Sequence, residues 1–349
     1  MPPLPPRIAA AFAAQSAACA RMGSPFTAAL LAGAGDWLDP AARTGARVRD
    51  WPGDPSADAL PLRLAGALHA LARSGEAPAL AAAWPPDPQG DPGRAAAHAL
   101  QSHDARLAAW LDGPPQTNET ARAAALLGGA LRALALSGAA EIELLEIGAS
   151  AGLNLGFDGY AYDLGPGVAR GDPAAPVRIP SLWRGPAPDP TAPLHVAARA
   201  GCDPAPLDPA DPAHRARLTA YVWADQTARL ARLRAALDDA AARPWRVARA
   251  TAADWLPARL AAPQPAGRLR LVWHSIVWQY LSPAEKSGIQ AALAQAGAAA
   301  TETRPLGWLR MERDGTPASA ALTLTLWPGG ATRELARTDS HGAWTDWTA

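Results

Sequence analysis

From Glu141 the chain reads Glu-Ile-Glu-Leu-Leu-Glu-Ile-Gly, an alternating apolar run that stops at Gly148. A strand that runs straight into small residues has to turn sharply at its carboxyl end. Nothing similar precedes it. Residues 7–21, 25–37, 57–73, 77–83, 94–112 and 118–137 carry Ala and Leu at helical spacing, divided by Pro/Gly punctuation such as Trp84-Pro85-Pro86-Asp87-Pro88. The change of period at Glu141 therefore predicts an all-helical N-terminal domain over residues 1–135 and an α/β domain over 136–349. A chain of 349 residues has the length for two such domains.

Beyond the turn the pattern predicts a short helix near 150–157. A Gly/Pro-rich insertion follows at about 156–190, with strand-like pieces at 160–162 and 177–179, and then a strand at 195–200. Next come a long helix at 212–242, strands at 246–250 and 269–273, a helix at 283–296, and closing strands at 306–313, 320–327 and 333–337. Strands that alternate with helices are joined by right-handed crossovers into a parallel sheet, and the closing strand-rich run supplies an antiparallel edge. The expected fold class is α/β with a Rossmann-like sheet.

Charge narrows the function. Lys and Arg total 32 against 32 Asp and Glu, and no block of like charge occurs, so neither nucleic acid nor a membrane surface is an expected partner. Lys286 is the single lysine beside 31 arginines, and the chain holds 89 alanines; this is the bias of a GC-rich genome, and scattered arginines do not make a phosphate-binding patch. Cys19 and Cys202 have no ligand-type spacing and form no disulfide framework, which fits a cytoplasmic protein. No metal is expected, since no two His or Cys recur at ligand spacing. The Ala-rich start has a small-residue site near Ala18 and Ala20, as a signal peptide would, but it continues into a helical pattern and is expected to belong to the fold.

The segment Glu146-Ile147-Gly148-Ala149-Ser150-Ala151-Gly152-Leu153-Asn154 is the strongest candidate site. A strand ending in an acid, then small residues, then a helix puts backbone N–H groups at the carboxyl edge of a sheet, where open α/β folds bind ligands. Ser150 stands at the middle glycine position of the dinucleotide fingerprint. The same letters also fit the nucleophile elbow G-x-S-x-G, with Asp254 or Asp339 and His274 or His341 as partners of a serine hydrolase. Against that reading stand the acid at 146 and the lack of an HGGG-like loop upstream.

The segment from Glu146 to Leu155 resembles the signature of an uncharacterised bacterial family, the domain-of-unknown-function family 2332. So do Ser24-Pro25, Thr117-Asn118-Glu119 with Arg122, Gly201-Cys202-Asp203, Tyr221-Val222-Trp223, Trp273-His274-Ser275 and Trp327-Pro328-Gly329-Gly330. The order of segments is similar to that of S-adenosylmethionine-dependent methyltransferases, whose first three strands end in acids. That resemblance implies S-adenosylmethionine as cofactor and a small-molecule acceptor of unknown identity. It implies cofactor contacts from Glu146, Gly148, Ala149, Ser150, Gly152 and Asn154, from Asn118, from Asp203 (or Asp163) at the ribose, and from Asp254 and Trp255 at the adenine. His274, just past the strand at 269–273, is the expected base or substrate-orienting group facing a cleft between the helical domain and the sheet, with His341 and Tyr280 as further candidates. Each of these residues also has a plainer reading: Asp203 before Pro204 can hold a turn, Asp254 can cap a short helix, and Thr117 or Asn118 can cap the helix that follows.

Overall fold

In the computed structural model residues 2–186, 189, 191–316 and 319–349 are described; residues 187, 188 and 190, inside the expected insertion, lie outside them. The described helices are α1 (Pro6–Arg21), α2 (Pro25–Ala32), α3 (Ala34–Trp37), α4 (Arg43–Arg49), α5 (Leu60–Arg73), α6 (Pro78–Ala82), α7 (Pro92–Trp110), α8 (Ala123–Ser137), α9 (Pro212–Ala220), α10 (Thr227–Ala241), α11 (Ala252–Ala261) and α12 (Pro283–Ala298). The strands are β1 (Glu141–Ile147), β2 (Ala161–Asp163), β3 (Ala169–Arg170), β4 (Arg178–Pro180), β5 (Leu182–Arg184), β6 (Val196–Asp203), β7 (Val247–Arg249), β8 (Arg268–Ser275), β9 (Leu306–Glu312), β10 (Ala320–Trp327), β11 (Ala331–Thr338) and β12 (Trp344–Trp347). Among the described residues no strand precedes Glu141, and no helix is long and apolar enough to cross a membrane.

The chain forms two compact units, one of Met1–Thr117 with Pro212–Ala231, the other of Asn118–Asp211 with Arg232–Ala349. The expected boundary at 135 falls near the end of α8, inside the second unit. In the first unit α5 is the central helix: Leu60, Leu64, Leu68 and Leu71 have no measurable exposure, and the apolar faces of α1, α2, α6, α7 and α9 surround it. The single helix expected at 212–242 is two, α9 and α10. The residues between them serve the first unit, where Asp225 takes the Ser24 hydroxyl and, at 2.9 Å, the Phe26 N–H at the start of α2, and Gln226 donates to the Met22 carbonyl.

The second unit is built on a mixed, mostly parallel sheet of nine strands in the order β5-β12-β11-β10-β9-β8-β1-β6-β7. The five strands from β9 to β7 run parallel, and β9, β10, β11 and β12 alternate in direction. Leu145, Ile147, Val272 and Trp308 face α11 and α12, packing on Leu256, Ile289 and Leu293. Leu144 and Glu146 point the opposite way. On that side α8 lies close to the strands because it presents glycines: a Cβ on Gly129 would meet Leu309 at 2.5 Å, and one on Gly128 would meet Trp183 at 2.6 Å.

The helix expected at 150–157 is a 3₁₀ turn at Leu153–Gly159, cut short by Gly152, which is left-handed at φ +73°, and by Gly156 and Gly159. Among the described residues the connection from β1 to β6 therefore has no α-helix. It passes through the small sheet β3-β2-β4 and through β5, which pairs with β12 at the far edge of the large sheet.

Candidate functional site

β1 lies between β8 and β6, and its carboxyl end opens into the turn at 148–152. Gly148, Ser150 and Gly152 are all left-handed, with φ of +67°, +54° and +73°. Each N–H from Ala149 to Leu153 meets a protein acceptor. Ala149 donates to Cys202 O (3.0 Å), Ser150 to Asp203 Oδ2 (2.9 Å), Gly152 to Ala149 O (2.7 Å), and Ala151 and Leu153 both to Asn118 Oδ1 (3.2 and 3.1 Å). The turn is thus a closed, self-satisfied loop and not a bare cradle of donors. Its small residues serve packing: a Cβ on Gly148 would meet Val277 Cγ2 at 2.6 Å, and one on Gly201 would meet Ala149 at 2.8 Å.

The side chains here have the opposite character. Glu146 is 3% exposed and its Oε2 has no hydrogen-bond partner. Burial pushes its carboxyl up to about 8, with the Asp203 charge adding to the rise, and the Trp273 indole and the Arg122 guanidinium hold it partly back. Ser150 Oγ and Asn154 Oδ1 are likewise buried without partners. Three unsatisfied oxygens within nine residues are unusual in a folded interior.

The remaining predicted residues divide between this turn and other places. Asn118 belongs to the turn as its acceptor and does not cap α8. Asp203, at the end of β6, spends Oδ2 on Ser150 N–H and Oδ1 on Ala205 N–H, which makes it the turn-holding residue of its plainer reading. Asp163 lies in the small sheet, accepting from Gly165. Asp254 is exposed and sits in the first turn of α11, where Thr251 is the N-cap and accepts its N–H. Trp255 is buried in the core under α11.

His274 does not face an open cleft. It is 1% exposed, on the α11–α12 side of the sheet and so opposite Glu146, and stacks on Trp278 with ring centroids 5.4 Å apart. Both ring nitrogens are engaged: Trp308 Nε1–H donates to Nε2 (3.2 Å), and Nδ1 lies 2.6 Å from Glu312 Oε1. An acceptor at Nε2 assigns the proton to Nδ1 and leaves no lone pair to take another. Glu312 Oε1 also accepts the Val277 N–H, so His274 positions the loop that packs on Gly148. Tyr280 is 76% exposed, and its N–H donates to the Val277 carbonyl. Asp339 accepts the N–H groups of His341 and Ala343, which closes a turn. Ser150 Oγ has no base beside it, so the hydrolase constellation is not assembled.

Sequence reasoning gave no site role to Arg122, although it stands in the signature segment, and did not single out Val277. Buried Arg122 donates to the carbonyls of Ser340 and Ser275, tying the exit of β8 to the C-terminal loop. The signal available was Arg122 itself, three residues past Glu119 in the segment that resembles the family signature. Among the described residues no three His, Cys, Asp or Glu side chains gather as a metal would require.

A family model described as an uncharacterized protein conserved in bacteria (DUF2332) matches residues 9–347, and the chain belongs to that family. No curated protein and no solved structure matches it.

Proposed function

We propose that the second unit is a Rossmann-like methyltransferase-type domain that binds S-adenosylmethionine at the carboxyl ends of β1, β6 and β8 and serves a small-molecule acceptor. The observation that carries this reading is the strand order. From β1 the chain adds β6 and β7 on one side, then crosses over to add β8 and β9 on the other. Such a reversal opens a crevice at the carboxyl ends of the two strands that flank it, here β1 and β8, and open α/β sheets bind their ligands there. Glu146, the small-residue turn and Val277 all lie at that point.

The donor chemistry of the turn suits this cofactor better than a nucleotide diphosphate. Its N–H groups are consumed by protein acceptors, so an anion would find little to bind. The unpartnered oxygens of Glu146, Ser150 and Asn154 suit a ligand that brings N–H donors, as an ammonium or an exocyclic amine does. Bound S-adenosylmethionine would supply an activated methyl group. The chain's own contribution is to bind and orient, with Asn118 and Asp203 fixing the turn and the His274–Glu312 pair fixing the β8 exit loop.

Thermal denaturation of the whole protein with S-adenosylmethionine or S-adenosylhomocysteine tests the reading. At about 100 times the dissociation constant the ligand adds about 2.7 kcal/mol, a rise of several degrees for a unit of this size, and Asn154→Ala should diminish it. No rise with either compound would remove the reading.

A further inference from the structure

The first unit holds a pocket of about 40 Å³, open in part to solvent, between α2, α5 and the segment after α9. Its walls are aromatic. Phe26 and Trp84 meet edge to face with ring centroids 5.0 Å apart, and Tyr221 packs closely on α5 because residue 66 is glycine, where a Cβ would stand 2.6 Å from the Tyr221 ring. Trp110 Nε1–H donates to the Tyr221 hydroxyl at 3.0 Å and fixes that ring from behind.

Beside the threonines Thr27 and Thr117, the lining includes two residues that each carry a buried, unpartnered polar atom. His69 and Trp84, 4% and 5% exposed, both line the cavity, and His69 Nδ1 and Trp84 Nε1 are buried without hydrogen-bond partners. Burial, helped by the Arg73 charge, pushes the His69 pKa down to about 4, so the ring is neutral, and the backbone of Ala220 and Val222 takes its hydrogen bond. That leaves Nδ1 as a bare acceptor. Trp84 Nε1–H is a donor only. An unmade bond at a buried group costs about 1–3 kcal/mol, and here two residues that line one pocket each carry such a group. No Asp, Glu, Lys or Arg is among the described residues that line it.

We propose that this cavity is a binding site for a small, uncharged, planar ligand with a lactam-like edge, whose N–H meets His69 Nδ1 and whose carbonyl takes the Trp84 N–H. Aromatic walls favour a flat ring, and the missing charge disfavours carboxylates, phosphates and amines, whose desolvation nothing in the lining would repay. The site is independent of the proposed cofactor site, and its test makes no use of methyl transfer.

The probe is 2-pyridone, titrated into the full-length protein and followed by ligand-observed NMR, with toluene and benzoate as controls. We expect saturable binding of 2-pyridone, binding at least tenfold weaker for toluene, and none for benzoate. Trp84→Phe, which keeps the wall and removes the donor, should weaken 2-pyridone at least tenfold, and His69→Leu should do the same. If His69→Leu does not fold, Trp84→Phe alone decides. Failure of 2-pyridone to saturate the wild type, equal binding of toluene, or unchanged affinity in Trp84→Phe would each overturn the proposal.

Discussion

Val277 occupies the space that a side chain at Gly148 would need: a Cβ there would lie 2.6 Å from its Cγ2 and 2.9 Å from its Cγ1. Gly148 is therefore a packing glycine in a left-handed position, and adding a methyl group meets two penalties at once, backbone strain and overlap. Gly148→Ala should destabilise by about 2–4 kcal/mol in urea unfolding. Combined with Val277→Ala it should recover the overlap part, with a coupling of at least about 1 kcal/mol. Simple additivity of the two substitutions would show that Val277 is not the obstacle.

Glu146 predicts a pH dependence of known sign. Its carboxyl titrates near 8 in the folded chain and near 4.3 in the unfolded one, so between those values the folded state holds the extra proton. Its contribution is fully present below about pH 4.3 and is lost as pH rises toward 8, at a slope of up to about 1.4 kcal/mol per pH unit. Glu146→Gln removes the titration, so the variant should gain on the wild type as pH rises and be the more stable of the two at pH 8. Parallel stability curves for the two proteins from pH 5 to pH 8 would contradict the assignment.

His274 is held as the Nδ1–H tautomer between Trp308 and Glu312. Nitrogen-15 NMR of the imidazole should report that tautomer, and an Nε2–H signature would disprove the arrangement. His274→Ala strips partners from a buried indole and a nearly buried carboxylate and should cost about 3–5 kcal/mol. His274→Asn at matched folding should show whether the loop at Val277 needs the ring itself or only a polar link to Glu312.

The strand at Glu141 was legible because its alternation and its glycine stop are local facts. So was α12, whose Ser282, Pro283 and Glu285 spell a complete capping box. α4 was not, since Arg-Thr-Gly-Ala-Arg-Val-Arg shows no apolar period and is held by Asp104 from α7, which accepts the N–H groups of Arg43 and Thr44. The turn could be located from its letters, but the partners of its N–H groups could not. Asn118 and Asp203 lie 33 and 53 residues away from the N–H groups they accept. The state of His274 depends in the same way on Trp308 and Glu312, which no spacing connects to it. Nor could the sequence assign 212–231 to the helical unit, because an Ala/Leu helix looks alike whichever core it joins.

Asp225 caps α2 from 201 residues beyond Ser24, and this has a consequence for biogenesis. Domains generally fold as units, N-terminal ones first, as the chain emerges from the ribosome. Here the first 117 residues leave the exit tunnel with the α5 leucines in place but without α9, without the Asp225 carboxylate, and with Tyr221 and Trp223 still to be synthesised. The β1–β6 pair, complete by Asp203, can zip before the earlier helices have all their partners. Throughout that interval the apolar face of α5 that α9 will cover stays open.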